Sequence, residues 1–439
     1  MQYQARTTLP TLSPRRLPSR WKQKLAALAR MSQQAACRNA EIGAAMFPPT
    51  NTRAPARSGA IVAALGKSCA LVAVLLASGA TPAFADAAED YDGLPGKKAL
   101  ALAEGASPVH GVAHSQAQDL AATQLALQDC EQKRAASNAP CELIRLNETR
   151  IASARELRDG LPEEPRPLYL WRYASPSATV FLAGSIHFLK ETLYPLPRQF
   201  EVAFSRADTL VVEVDLTALT PTEMQSRTFA AGRLPVGDTL ATVLPAELYA
   251  RLSRRFAGDG MDIVLFESMN PALVMNHLTV FGLMALGYGP QFGLEQYFTA
   301  RKEDRTVLEL ESFDAQLDLL FGQPMAEQVQ LLEHALDQDA QLEPLLAELV
   351  RAWLAGDDHE FLRLFEQQAG DSELAREFNR RLLDDRNAGM AESIAEYLDG
   401  TGTFFVLVGA AHFIGENGII SLLARQGIGG TRILSDTEL

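Results

Sequence analysis

The stretch Thr179-Val-Phe-Leu-Ala-Gly-Ser-Ile-His187 returns, with small changes, as Thr403-Phe-Phe-Val-Leu-Val-Gly-Ala-Ala-His412 near the other end of the chain. Each stretch opens on a threonine and continues as an apolar run of the kind that forms a fully buried strand. Each run stops at a glycine, Gly184 or Gly409, with a histidine three residues later. Glycine lets the chain turn sharply where a strand ends, so both histidines are expected just past a strand. In open α/β sheets, ligands bind at the carboxyl ends of the strands. Two histidines delivered in this way can meet on one metal ion or one substrate. A single Gly-x-x-His is common by chance, and a lone histidine there is ordinarily only hydrogen-bonded at the surface. The repetition carries the signal, because the other five histidines (His110, His114, His277, His334, His359) lie in linker-like or helical text.

Strands alternating with helices surround the two stretches. Leu168–Tyr173 reads as a strand paired with the first stretch through a turn at Ser175-Pro176. A helix over Arg198–Arg206 follows, then the strand Thr209-Leu-Val-Val-Glu-Val-Asp215. Helical text fills Pro245 to Tyr297, a strand follows at Thr306-Val-Leu-Glu-Leu-Glu311, and helices run from Ala315 through Tyr397. A last strand is expected at Thr431–Leu434. The pattern predicts an α/β fold with a large helical insertion between the third and fourth core strands. Pro271–Tyr288 is apolar enough to suggest a membrane span, but Asn276, His277 and the surrounding Gly and Pro residues favour a buried helix.

Composition divides the chain further. Residues 1–57 are basic, with Glu41 their only acid; then come Cys69-Ala-Leu-Val-Ala-Val-Leu-Leu-Ala77 and Pro82-Ala-Phe-Ala85. A basic flank, a short apolar run and a small-x-small site make a secretory signal, expected to be cleaved after Ala85. Met46 would open a conventional signal, on which reading residues 1–45 reflect a misassigned start. An Arg-rich, acid-poor organelle leader is the competing reading. The whole chain carries −14 and the leader +10, leaving −24 on residues 86–439. Such acidity offers no basic face for nucleic acid. Beyond the leader, residues 86–115 are expected as a linker, 116–165 as a small helical accessory region and 168–439 as the α/β domain. The two remaining cysteines, Cys130 and Cys141, read as a local disulfide in an oxidising compartment. The expected location is periplasmic or secreted, without a stable membrane span. Oligomeric state stays open.

Carboxylates embedded in apolar strands are the remaining chemical signal. Glu213 and the pair Glu309 and Glu311 are costly inside strands unless paired, hydrogen-bonded or metal-bound; solvation at a sheet edge is the plain alternative. Position at the carboxyl end favours Glu213 and Glu311. With His187 and His412 they make a nitrogen–oxygen donor set suited to zinc, manganese or cobalt. His187, His412 and Glu213 are the expected metal ligands, with Glu213, Glu311 and Arg386 as catalytic candidates. Arg386 could stabilise an oxyanion, although salt bridging is its commoner fate in Asp384-Asp-Arg386. Asn387 and the pair Glu416-Asn417 are further candidates. No His-Glu-x-x-His, Walker A, Gly-x-Ser-x-Gly or Gly-x-Gly-x-x-Gly pattern occurs.

These residues together resemble the TraB/PrgY/GumN family, whose animal relatives include the Tiki proteases. The likeness rests on Gly184-Ser-Ile-His187, Gly409-Ala-Ala-His412-Phe-Ile-Gly415 and Glu213. It extends to Gly293-Leu-Glu295, Val307-Leu-Glu-Leu-Glu311 with Gln316, and Asp385-Arg386-Asn387, over residues 168–435. The resemblance implies a central mixed sheet akin to erythromycin esterases and ChaN-like haem-binding proteins. It also implies a metal-dependent hydrolase acting on a peptide or protein substrate. Asn270-Pro271-Ala272 and Glu295 depart from the family pattern, which puts substrate contacts in question more than the metal centre. Two other readings compete: a binding protein of the same fold that holds haem or another ligand, and a silent regulator of a signalling peptide or polysaccharide export. Metal content with and without His187 separates the first two.

Overall fold

The computed structural model describes residues 90–370 and 372–439; the leader and its cleavage site lie outside them. Six strands form the central sheet, in the order β10-β5-β6-β9-β7-β8. These are β5 (Pro167–Ala174), β6 (Ala178–Ser185), β7 (Thr209–Val212), β8 (Thr306–Glu309), β9 (Gly402–Gly409) and β10 (Thr431–Leu434). The four strands β6, β9, β7 and β8 run parallel, and β5 pairs antiparallel with both β6 and β10. The sheet is therefore mixed, as expected, and its α/β architecture holds a helical insertion between β7 and β8.

The two repeated stretches are neighbours. β6 and β9 pair in parallel with Thr179 beside Thr403 and Ser185 beside Gly409. Their apolar residues, from Val180 to Ala183 and from Phe405 to Val408, are buried. Helices pack on both sides through spaced apolar residues. Arg198–Arg206 buries Phe200, Ala203 and Phe204. Asp384–Asp399 buries Asn387, Met390, Ala391, Ile394 and Leu398, one continuous face whose first turn lies at the carboxyl edge of the sheet. The apolar segment after Asn270 is the helix Pro271–Ala285, capped by Asn270 and started by Pro271. Among the described residues no helix is long and apolar enough to cross a membrane.

The N-terminal part departs from expectation. Residues read as linker form β1 (Lys97–Ala103) and β2 (Val109–Gln116). With β3 (Glu142–Leu146) and β4 (Thr149–Arg150) they make a four-stranded antiparallel sheet, order β2-β1-β3-β4, crossed by the helix Asp119–Lys133. The accessory unit is thus α/β rather than helical. Its strand signal is masked by small residues. Ala99, Ala101 and Ala103 face the core that includes helix residues Ala122, Ala126 and Cys130, while Leu100 faces Tyr91 and Ile144. Alanine on the covered face allows close approach of the helix. At Gly111 a Cβ would stand 2.1 Å from the Ala126 carbonyl oxygen, so only glycine fits there.

Cys130 lies in the last turn of that helix and Cys141 precedes β3; the two are joined by a disulfide with Cα atoms 6.0 Å apart. Closing a loop of this length stabilises a fold by about 3 kcal/mol on the chain-entropy account. Removing it by Cys130→Ala and Cys141→Ala should lower hydrogen-exchange protection in β1–β3 and leave β6 and β9 protected. Equal loss across both sheets would refute a local role.

Candidate active site

Strand order brings the candidate residues to one edge. β9 lies between β6 and β7, and β8 flanks β7. His187 follows β6 by two residues, His412 follows β9, Glu213 follows β7, and Glu311 follows β8. Glu213 and Glu311 lie just beyond their strands rather than inside them, because β7 stops at Val212 and β8 at Glu309. Their backbones still meet, with Glu311 N–H donating to the Glu213 carbonyl. Glu309, by contrast, is exposed on the edge strand and its side chain accepts from Asp215 N–H.

Gly409 marks the middle of the site. A Cβ built there would lie 3.3 Å from Glu213 Oε1, 3.5 Å from His412 Cδ2 and 3.6 Å from His187 Nε2. Both histidines and Glu213 therefore border one small space. Gly409 N–H also donates to Glu213 Oε1 at 2.7 Å. The two histidines differ in setting. His187 is exposed, with 61% of its side chain accessible, whereas the His412 side chain is 4% accessible. The site is open on the His187 side.

Each imidazole is fixed through Nδ1. Glu295 Oε1 lies 2.8 Å from His187 Nδ1 and also accepts from Ser185 Oγ. Its segment is held close, because a Cβ at Gly293 would stand 2.1 Å from the His187 carbonyl oxygen. Asn387 Oδ1 lies 2.6 Å from His412 Nδ1. With Nδ1–H donating to Asn387, His412 Nε2 is an acceptor, and Arg386 Nη1 meets it at 3.2 Å. Arg386 also donates to Glu213 Oε2 at 2.8 Å and to both oxygens of Glu311 at 2.6–2.9 Å. Gln316 donates to Glu213 Oε2 at 3.2 Å.

The electrostatics follow from these partners. Burial pushes the His412 imidazole down to about 4, so it is neutral at physiological pH. Burial opposes the charge of Glu213, but His412, His187, Arg386 and Gly409 N–H outweigh it and hold the carboxyl well below its usual range. Glu295 pushes His187 up to about 9, against partial burial. A raised folded-state pKa contributes stability below the unfolded value, near 6.5, that is lost as pH rises through about 9. In chelator, the thermal-stability gap between the protein and its His187→Ala variant should close between pH 6.5 and 9. A gap constant over that interval would contradict the Glu295 pairing.

All five expected site residues are gathered, with two changes of part. Glu311 is taken up by Arg386, so it positions the guanidinium rather than standing free as a base. The expected three-ligand metal set of His187, His412 and Glu213 is not assembled as a coordination sphere. Among the described residues no group of three or more His, Cys, Asp or Glu is close enough to hold a metal. The physical reason is Arg386, whose cation sits on both His412 Nε2 and Glu213. The donors still fit a divalent ion in kind: two imidazoles oriented through Nδ1 by oxygen acceptors, in the manner of metal-binding histidines, and one carboxylate. Glu295 is the residue that sequence reasoning undervalued. Its only signal was its place in Gly293-Leu-Glu295.

Comparison with known proteins adds a family. The TraB/PrgY/gumN family matches residues 169–432, which contain every residue of the site. The chain is similar to uncharacterized protein YbaP of Escherichia coli (strain K12), 25% identical over 249 residues, covering 55% of this chain and 86% of that protein. It is similar to metalloprotease TIKI1 of Danio rerio, 24% identical over 335 residues, 65% of this chain and 67% of that protein. TIKI1 of Xenopus tropicalis is 24% identical over 316 residues, 59% of this chain and 60% of that protein. No solved structure matches.

Proposed function

The chain belongs to the TraB/PrgY/gumN family, and on that premise we propose that it is an exported, metal-dependent hydrolase that cleaves peptide bonds. The observation that carries this reading is the shared space at Gly409, bordered by His187, His412 and Glu213. Similarity to proteins named as metalloproteases supports the metal and the peptide substrate. The signal-like segment ending Ala83-Phe-Ala85 and the Cys130–Cys141 disulfide support export.

His187, His412 and Glu213 would hold the ion. A bound zinc, manganese or cobalt ion lowers the pKa of a water and polarises a carbonyl. Glu295 and Asn387 orient the two imidazoles so that each turns Nε2 inward. Glu213, ionised at physiological pH, would bring the negative charge that a divalent ion needs. Arg386 is held by Glu311 and Glu213 and would favour, through its positive charge, an oxygen on which negative charge develops nearby. The exposed His187 side leaves room for a polypeptide to enter.

A peptide-library screen with zinc, manganese or cobalt supplied tests this. Cleavage that disappears with chelator and in His412→Ala is the expected result. No cleavage by the unaltered protein under any of the three metals would overturn the reading.

A further inference from the structure

The same sheet edge carries a second polar feature, on the flank away from β8. β10 ends there, β5 begins there, and the helix Arg198–Arg206 starts there. Between them is a cavity of about 310 Å³ whose lining includes Arg158, Arg166, Arg198, Glu164 and Ser435. Three arginines thus line one space in a chain that is otherwise strongly acidic.

Their charges are poorly balanced. Arg166 pairs with Glu164 at 3.0 Å, but the Glu164 side chain is 62% exposed. Among the described residues Arg158 donates only to the carbonyls of Thr192 and Leu193, at 3.2 and 2.7 Å. Arg198 is exposed, and among the described residues neither it nor Arg158 forms an ion pair. Burial lowers the pKa of Arg158; Glu142 partly offsets this, and Arg166 lowers it further. Clustered cations in a partly desolvated cavity are a cost that an anion removes. The helix adds to the attraction. Its N-cap is Pro197, which supplies no side-chain cap, and Glu201 is the one acid of its first turn, so the positive end of the helix is only partly neutralised.

We propose that this cavity binds a small oxyanion, a phosphate or carboxylate group, held by Arg158, Arg166 and Arg198. Guanidinium forks match both groups in a bidentate manner. The site is separate from the histidine centre and does not depend on the hydrolase reading.

Calorimetric titration of the purified protein at low chloride, with inorganic phosphate in one arm and succinate in the other, tests the proposal. Saturable binding in either arm is expected, and the arm that binds more tightly identifies the source of the oxyanion. Arg198→Gln should weaken binding by about tenfold or more, since a hydrogen bond to a charged group is lost. Among the described residues Arg198 has no side-chain partner, so this variant should unfold at the same temperature as the parent in the absence of anion. Arg158→Gln should weaken binding as well, at a further cost to the Thr192–Leu193 segment. Absence of saturable binding in both arms, or binding unchanged in the Arg158→Gln/Arg198→Gln double variant, would overturn the proposal.

Discussion

Replacing Arg386 by methionine should destabilise the protein by about 3–5 kcal/mol, as expected for removing one partner from a buried charge network. The Arg386 side chain is 12% accessible and pairs with both Glu213 and Glu311, whose side chains are 10% and 19% accessible. Methionine fills the volume but leaves two carboxylates facing each other without a cation. It also strands His412 Nε2 and the Leu382 carbonyl, which Arg386 contacts at 3.2 and 2.8 Å. Lysine would restore charge but not the fork, so Arg386→Lys should recover only part of the loss. The deficit has a definite pH sign. Glu213 has a depressed pKa in the folded protein, so its stabilisation is present at neutral pH and fades as pH falls below the unfolded carboxylate value. Urea denaturation at pH 7 and pH 4 should show a smaller deficit at the lower pH. A loss under about 1 kcal/mol at pH 7, the range of a surface ion pair, would mean that the network is not structural.

The second large effect concerns function rather than stability. Gly409→Ala places one methyl group into the space between Glu213, His412 and His187. Gly409 has φ −51° and ψ 134°, which alanine adopts without strain. Its methyl would meet Glu213 Oε1 at 3.3 Å, a tight contact that a small side-chain shift relieves. Stability should therefore change by no more than about 1 kcal/mol, with the reduced freedom of the unfolded chain offsetting the crowding. Hydrolysis and metal uptake should fall together by roughly 10–100-fold, the range for disturbing the immediate surroundings of metal-binding side chains. A fully active Gly409→Ala protein would show that the space is not where chemistry occurs.

The parts of the fold that could be read in advance were those governed by local pattern. The helix Arg198–Arg206 and the strand Thr431–Leu434 appear with the boundaries their residues predict, because apolar spacing decides both. β6 and β9 were legible for the same reason, as long apolar runs ended by glycine. β7 was read too long because Glu213 looks like a strand residue, whereas it turns into the edge to meet Arg386 and Gly409. In β1, alternation is hidden by alanine, and its meaning depends on a helix packed over it. The site shows the same division. His187 and His412 could be paired from a repeated pattern, and their meeting follows from β6 and β9 being neighbours. Nothing local indicates that Glu295 reaches His187, 108 residues earlier, or that Glu311 is consumed by Arg386. Those contacts are set by strand order and the loops between strands. The role of Gly409 as the residue that keeps the space open is equally a tertiary property.

The central claim is that His187 and His412 hold one divalent ion together with Glu213. Metal analysis after equilibrium dialysis, on the protein and on His187→Ala and His412→Ala, tests it most directly. The account predicts one zinc, manganese or cobalt ion per chain in the parent. Neither variant should retain it, although both should keep the thermal transition of a folded protein. Retention of the ion by either variant, or a parent that takes up haem and no divalent ion, would contradict it.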